Sequence, residues 1–122
     1  MIGYVTLGTN DLARAARFYD AIAAVLGNAR NATTERTIYY SATGVGVGFA
    51  VTLPYDGNPA TFGNGTMATI GAKDRDQVSA LHAAALANGG SDEGAPGERA
   101  NGMFIAYWRD PDGNKMNAVA LG

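Results

Sequence analysis

TLGTNDLARAARFYDAIAAVLG (residues 6–27) lies without a gap over TIGAKDRDQVSALHAAALANGG (residues 69–90) when the chain is shifted by 63 positions. Thr6 meets Thr69, Gly8 meets Gly71, Asp11 meets Asp74, Ala21 meets Ala84, Ala24 meets Ala87 and Gly27 meets Gly90. The apolar pairs Leu7/Ile70, Ala15/Val78 and Phe18/Leu81 coincide as well. Self-similarity at a fixed offset is the mark of a supersecondary unit used more than once. Its parts are readable. Asp11 or Asn10, and Asp74 in the second copy, can accept from the free N–H groups of a first helical turn. Leu12, Ala15, Tyr19, Ile22 and Leu26 then form an apolar stripe that must pack on a sheet. Gly27 and the pair Gly89-Gly90 end the helices, because glycine tolerates the left-handed cap.

Outward from the repeat, each half continues as short strands. Residues 28–34, 37–43 and 46–53 read as three strands after the first helix, and 54–65 (PYDGNPATFGNG) as the connector between halves. After the second helix, strands are expected near 90–93, 103–109 and 115–121. DPDGN (110–114) turns between the last two, with Pro111 fixing φ and Gly113 permitting positive φ. The chain thus spells βαβββ twice. This is an α+β arrangement in one domain over 1–122, with module 1 at about 1–62 and module 2 at about 63–122.

Composition narrows the function. The 122 residues are 47% hydrophobic, enough for one core, and the net charge of −2 with scattered Lys and Arg gives no footprint for nucleic acid. With no cysteine, disulfides, thiolate metal sites and Cys nucleophiles drop out together. No apolar run nears the ~20 residues of a membrane span and no signal segment opens the chain, so a soluble cytoplasmic protein without membrane or nucleic-acid partners is expected. GVGVG (44–48) enters a strand rather than a helix, so it is no phosphate loop, and DPDGN lacks the closing Glu of a calcium loop. His82 is expected at a surface or interface, and Glu35, Arg36, Glu98 and Arg99 in solvated loops.

Four stretches, VTLGTNDLARAARFYDAIAAVLG, PYDGNPATFGNGT, LHAAALANGGSDEGAPG and RDPDGNKMNAV, together resemble the vicinal oxygen chelate superfamily over the whole chain. That superfamily contains glyoxalase I, extradiol dioxygenases, fosfomycin-resistance enzymes and bleomycin-resistance proteins. The resemblance implies paired βαβββ modules curled around a cavity, often with a divalent metal, and frequent dimers. The family's first His matches Tyr4, its second-module equivalent matches Met67, and its Glu after the turn matches Asn117, while Phe49, Ala50 and Val51 occupy the first module's fourth-strand position. Phenol, thioether and amide are poor donors for hard divalent ions. No metal and no cofactor are therefore expected.

Alternation extends the set. If Tyr4 faces the cavity, so does Thr6, with Val5 and Leu7 under the first helix. Met67, Thr69, Asn117 and Val119 follow, with Ala68, Ile70, Met116 and Ala118 toward the second helix. Phe104, Ala106 and Trp108 are assigned inward on the preceding strand. The candidate ligand-binding residues are Tyr4, Thr6, Met67, Thr69, Phe104, Trp108 and Asn117; Tyr4, Met67 and Trp108 are equally the residue types that fill a core. The leading expectation is a homodimer that binds a small hydrophobic or aromatic molecule. The alternative is a lyase or dioxygenase-type enzyme, metal-free with Tyr4 as acid or with a non-standard metal site.

Overall fold

Two aspartates start the two helices. The Asp11 carboxylate accepts the Arg14 backbone N–H at 3.0 Å, and Asp74 accepts that of Gln77 at 2.8 Å, both from extended backbone. Gln77 returns its side-chain oxygen to the Lys73 N–H at 2.9 Å, holding the chain as it enters the second helix. In the computed structural model, which describes residues 2–41 and 48–121, these helices are α1 (Leu12–Val25) and α2 (Arg75–Ala87). Neither is long and apolar enough to cross a membrane.

The strands are β1 (Tyr4–Gly8), β2 (Ala29–Thr33), β3 (Thr37–Ser41), β4 (Gly48–Thr52), β5 (Ala68–Gly71), β6 (Ser91–Glu98), β7 (Met103–Arg109) and β8 (Lys115–Leu121). They form two four-stranded sheets, ordered β1-β4-β3-β2 and β5-β8-β7-β6. In each sheet the first strand pairs parallel with the last and the other pairings are antiparallel, so both βαβββ modules have the same topology. The glycine-rich stretch 44–48 lies outside the described residues except for Gly48, which opens β4. The strand expected at 90–93 runs on to Glu98. Its sequence SDEGAPGE has little strand propensity, yet β6 is an edge strand with register shifts at Gly94 and Gly97, where Pro96 costs no ladder bond.

Each helix covers one face of its own sheet, and the two helical layers share a core. Ala15, Phe18, Tyr19 and Ile22 of α1 are fully buried, as are Val78, Leu81 and Ala85 of α2, against Val51, Trp108, Met116 and Ala118. Burying each large apolar side chain is worth about 1.5–3 kcal/mol. Phe18 and Phe49 meet the Tyr19 ring at 4.8 and 5.0 Å, and Tyr40 stacks on Phe49 at 5.0 Å. Gln77 ties the helices by donating to the Val25 carbonyl at 3.2 Å. β1 and β5 remain sheet edges, and no strand pairing joins them among the described residues.

Candidate functional site

The turn after β7 fastens the second module to the first. Asp110 is buried; its Oδ1 accepts the backbone N–H groups of Asp112 and Asn114, both at 2.9 Å. Its Oδ2 accepts the Tyr19 hydroxyl at 2.5 Å and Asn114 Nδ2 at 2.8 Å, and Asn114 also donates to the Gly8 carbonyl at 2.9 Å. Burial first, then the Asp110 carboxylate, hold the Tyr19 phenol protonated well above its ordinary range. Asp112 meanwhile caps the start of α1, accepting from Thr9 Oγ1 at 2.5 Å, the Asn10 N–H at 2.9 Å and Arg14 Nη2 at 2.6 Å. The expected turn is present: Asp110 and Asn114 close it backbone to backbone at 2.9 Å, with Gly113 at φ 89°.

Between the edges of β1 and β5 opens a hollow of about 870 Å³. Val5, Leu7, Phe49, Ala68, Ile70 and Met116 wall it, and Asn28, Lys73 and Gln77 lie at its polar margin. The Tyr40 ring borders it too, while its hydroxyl turns away to donate to Asp20 at 2.8 Å. Asp20 also takes both nitrogens of an Arg30 fork at 2.8 and 2.6 Å, and that arginine chiefly holds its carboxyl below the usual range. A shallower hollow of about 460 Å³ lies beside Arg36 and Tyr55. There Arg36 spends its guanidinium on the carbonyls of Leu53 and Pro54, as a strap rather than a site.

The structure redistributes the residues expected to line one cavity. Met67 and Thr69 do border the hollow, but so do Val5, Leu7, Ala68, Ile70 and Met116, from the faces assigned to helix packing. Because the sheets do not join edge to edge, the free space opens on the helical side. Tyr4 is 58% exposed with its ring edge-on to Tyr39 at 6.0 Å, and Thr6 is also exposed; both stand on the opposite face of β1. Asn117 is 3% exposed and faces Thr69 in register.

Phe104 and Trp108 require a correction, as does Ala106. They lie on the α2 side of the sheet, Trp108 fully buried with its ring 6.5 Å from His82, and Phe104 under the Arg75 guanidinium at 5.0 Å. The residue opposite Asn117 is Tyr107. The sequence held the signal for this. A hairpin centred on Asp112 pairs residues equidistant from it, so Asn117, five after, must face Tyr107, five before. His82 is not at the surface either: it is buried, with Nε2 at 2.9 Å from Asp92. Glu98 belongs to β6, and Arg99 stacks 5.6 Å over the Tyr107 ring.

The family model described as the Glyoxalase/Bleomycin resistance protein/Dioxygenase superfamily matches residues 1–117. The chain belongs to this superfamily. Among solved structures, a glyoxalase/bleomycin resistance protein from Albidiferax ferrireducens T118 is 39% identical, with a TM-score of 0.90 over 98% of this chain and 97% of that one. A glyoxalase-related enzyme from Fulvimarina pelagi is 24% identical, with a TM-score of 0.78 over 98% and 86% of the two chains, a likeness of fold. The same holds for a glyoxalase/bleomycin resistance protein/dioxygenase family enzyme from Burkholderia phytofirmans PsJN, at 16% identity and a TM-score of 0.73 over 96% and 95%. No curated protein matches the chain.

A divalent metal does not fit the donors this superfamily member supplies. The positions that the resemblance aligns with the family's ligands have the phenol of Tyr4, the thioether of Met67 and the amide of Asn117. Among the described residues no three of His, Cys, Asp and Glu gather to hold a metal ion. Hard or borderline ions prefer imidazole and carboxylate, which these three side chains do not supply.

Proposed function

We propose that this member of the superfamily is a binding protein that holds a small apolar or aromatic molecule between its modules. The hollow between β1 and β5 carries the reading: at about 870 Å³ it is of the size that encloses drug-sized ligands, and its wall is apolar with a few polar groups at the margin. The alternative, an enzyme with Tyr4 as acid, draws no support from the geometry, because Tyr4 stands exposed with only Tyr39 against its ring. Titration with the neutral fluorophore N-phenyl-1-naphthylamine tests the reading. Saturable emission is expected in the wild type, lost in Ala68→Trp, which fills the wall. Unchanged affinity in a folded Ala68→Trp protein would sink the reading.

The same reading includes a homodimer. Ile2, Tyr4, Val5 and Met67 are exposed beside the two unpaired edges, and these edges are equivalent by the internal repeat. A second copy related by a twofold axis can set its β5 beside β1 and its β1 beside β5, covering both edges at once. Light scattering should return twice the 12.6 kDa chain mass, and Val5→Lys should lower it toward one chain. A wild-type monomer at micromolar concentration overturns the dimer and leaves the cavity reading to its own test.

A further inference from the structure

The hollow between β1 and β5 changes character from one end to the other. Leu7, Ala23, Tyr40 and Met116 form its buried end, whereas Ile2, Met67 and Lys73 stand exposed at its open end. The side chains at the buried end have their polar atoms turned to other partners. The Tyr40 hydroxyl donates to Asp20 at 2.8 Å, and the Met116 sulfur accepts the Tyr19 hydroxyl at 3.4 Å. A polar group carried to that end would lose its water without a side-chain partner to replace it. An occupant is therefore seated with its apolar part inward.

The open end offers the opposite chemistry. Lys73 is the one charged residue among those lining the hollow, and it forms no ion pair among the described residues. Of the acids that follow it in sequence, Asp74 turns its carboxylate onto α2, accepting the Gln77 N–H at 2.8 Å, and Asp76 is exposed in the first helical turn; neither lines the hollow. Gln77 fixes the base of Lys73 beside the two helices, because its Oε1 accepts the Lys73 backbone N–H at 2.9 Å while its Nε2 donates to the Val25 carbonyl at 3.2 Å. Both ends of Gln77 are thereby spent. Asn28 commits only its backbone N–H, to the Ala23 carbonyl at 2.8 Å, and its side-chain amide is left uncommitted among the described residues.

We infer that the occupant of the hollow is a monocarboxylate with an apolar body, the body lying against Phe49 and Met116 and the acid at the open end, accepting from the Lys73 ammonium and the Asn28 amide. This rests on the reading of the hollow as an apolar binding site and adds the charge and the orientation of what it holds. One ammonium answers one negative charge, and an amide N–H beside it donates to the second carboxylate oxygen. An acid held at the open end keeps part of its water, so it escapes the desolvation cost that the buried end would impose. The attraction is then that of an exposed ion pair, modest in size and sensitive to salt.

Displacement of N-phenyl-1-naphthylamine by 4-butylbenzoate, 4-butylbenzamide and 4-butylbenzylamine, which share one body and carry a negative, a neutral and a positive head, tests this at about pH 7.5. The benzoate should bind about threefold to fivefold more tightly than the benzamide, and the benzylamine more weakly than either. The advantage of the benzoate should vanish at about 1 M salt. Lys73→Met should level the benzoate with the benzamide, and Lys73→Glu should invert the order of benzoate and benzylamine, a reversal that damage to the fold or to the apolar wall cannot give. Asn28→Asp should weaken the benzoate relative to the benzamide. Ala68→Trp should abolish binding of all three, which places them in the hollow. Saturable emission of the fluorophore with equal affinity for the three heads, or an order unmoved by Lys73→Glu, would overturn the carboxylate assignment and leave the apolar reading standing; no saturable emission at all would overturn both.

Discussion

Replacing Asp112 by alanine removes the carboxylate through which the second module caps the first. Its side chain is only 2% exposed and receives three donors, Thr9 Oγ1, the Asn10 N–H and Arg14 Nη2. Hydrogen bonds to a charged group are worth about 1.5–3 kcal/mol each, but the three do not sum at that value. The Thr9 hydroxyl retains a second acceptor in the Asp11 carbonyl at 3.1 Å, and the exposed Asn10 N–H regains water. Arg14 is 39% exposed, so its ion pair is screened to about 1 kcal/mol or less. A net loss of roughly 2–3 kcal/mol remains, which for a chain of this size lowers Tm by on the order of 10 °C. Urea unfolding followed through Trp108 fluorescence measures it directly. The Asp112–Arg14 coupling, from a double-mutant cycle with Arg14→Met, should fade at about 1 M salt, where the screening length falls to roughly 3 Å. A loss under about 0.5 kcal/mol for Asp112→Ala would refute the cap as a joint between modules.

Three further outcomes follow from named contacts. Burial raises the Tyr19 and Tyr40 phenols above the ordinary value of 10.0, so the native protein keeps protons that the unfolded chain releases. Their contribution to stability is complete below pH 10 and declines as pH rises past it; Tyr40→Phe should flatten the alkaline slope by roughly 0.7 kcal/mol per pH unit at pH 10, approaching about 1.4 above pH 11, read from urea melts between pH 9 and 11 at roughly half-unit steps. Gly90→Ala would place a methyl 2.7 Å from the carbonyl oxygens of Ala85 and Arg109 and 2.9 Å from Phe18, and should cost about 3 kcal/mol in the same assay; a neutral result would mean the α2–β6 junction is looser than its contacts indicate. Excess Zn(II) or Ni(II) should leave Tm unchanged, because a native-state metal site would raise it by mass action and Tyr4, Met67 and Asn117 offer no suitable donors.

Local signals carried much of the fold into view. The caps at Asp11 and Asp74, the glycine stops and the DPDGN turn depend on contacts within a few residues, so their chemistry is legible in a short window. β6 was legible only in part, since its edge position rather than its propensity lets SDEGAPGE pair with β7. The candidate site was less legible. Alternation along β8 separates Asn117 from Met116 and Ala118, but the phase of β7 follows only from the pairing of Tyr107 with Asn117 across the turn, which puts Trp108 and Phe104 on the α2 side.

The repeat by itself determined two βαβββ modules, because each strand and helix is specified by its own periodicity and the offset of 63 residues says they are built alike. Only the tertiary structure decided how the modules meet. The hollow lies on the helical side of β1 and β5, Asp112 caps a helix about a hundred residues away in the chain, and Arg99 lies over Tyr107 where a Cβ on Gly94 or Gly97 would crowd it. Such contacts join residues distant in sequence, and the free energy that selects them comes from desolvation and packing of whole surfaces, which no local pattern encodes.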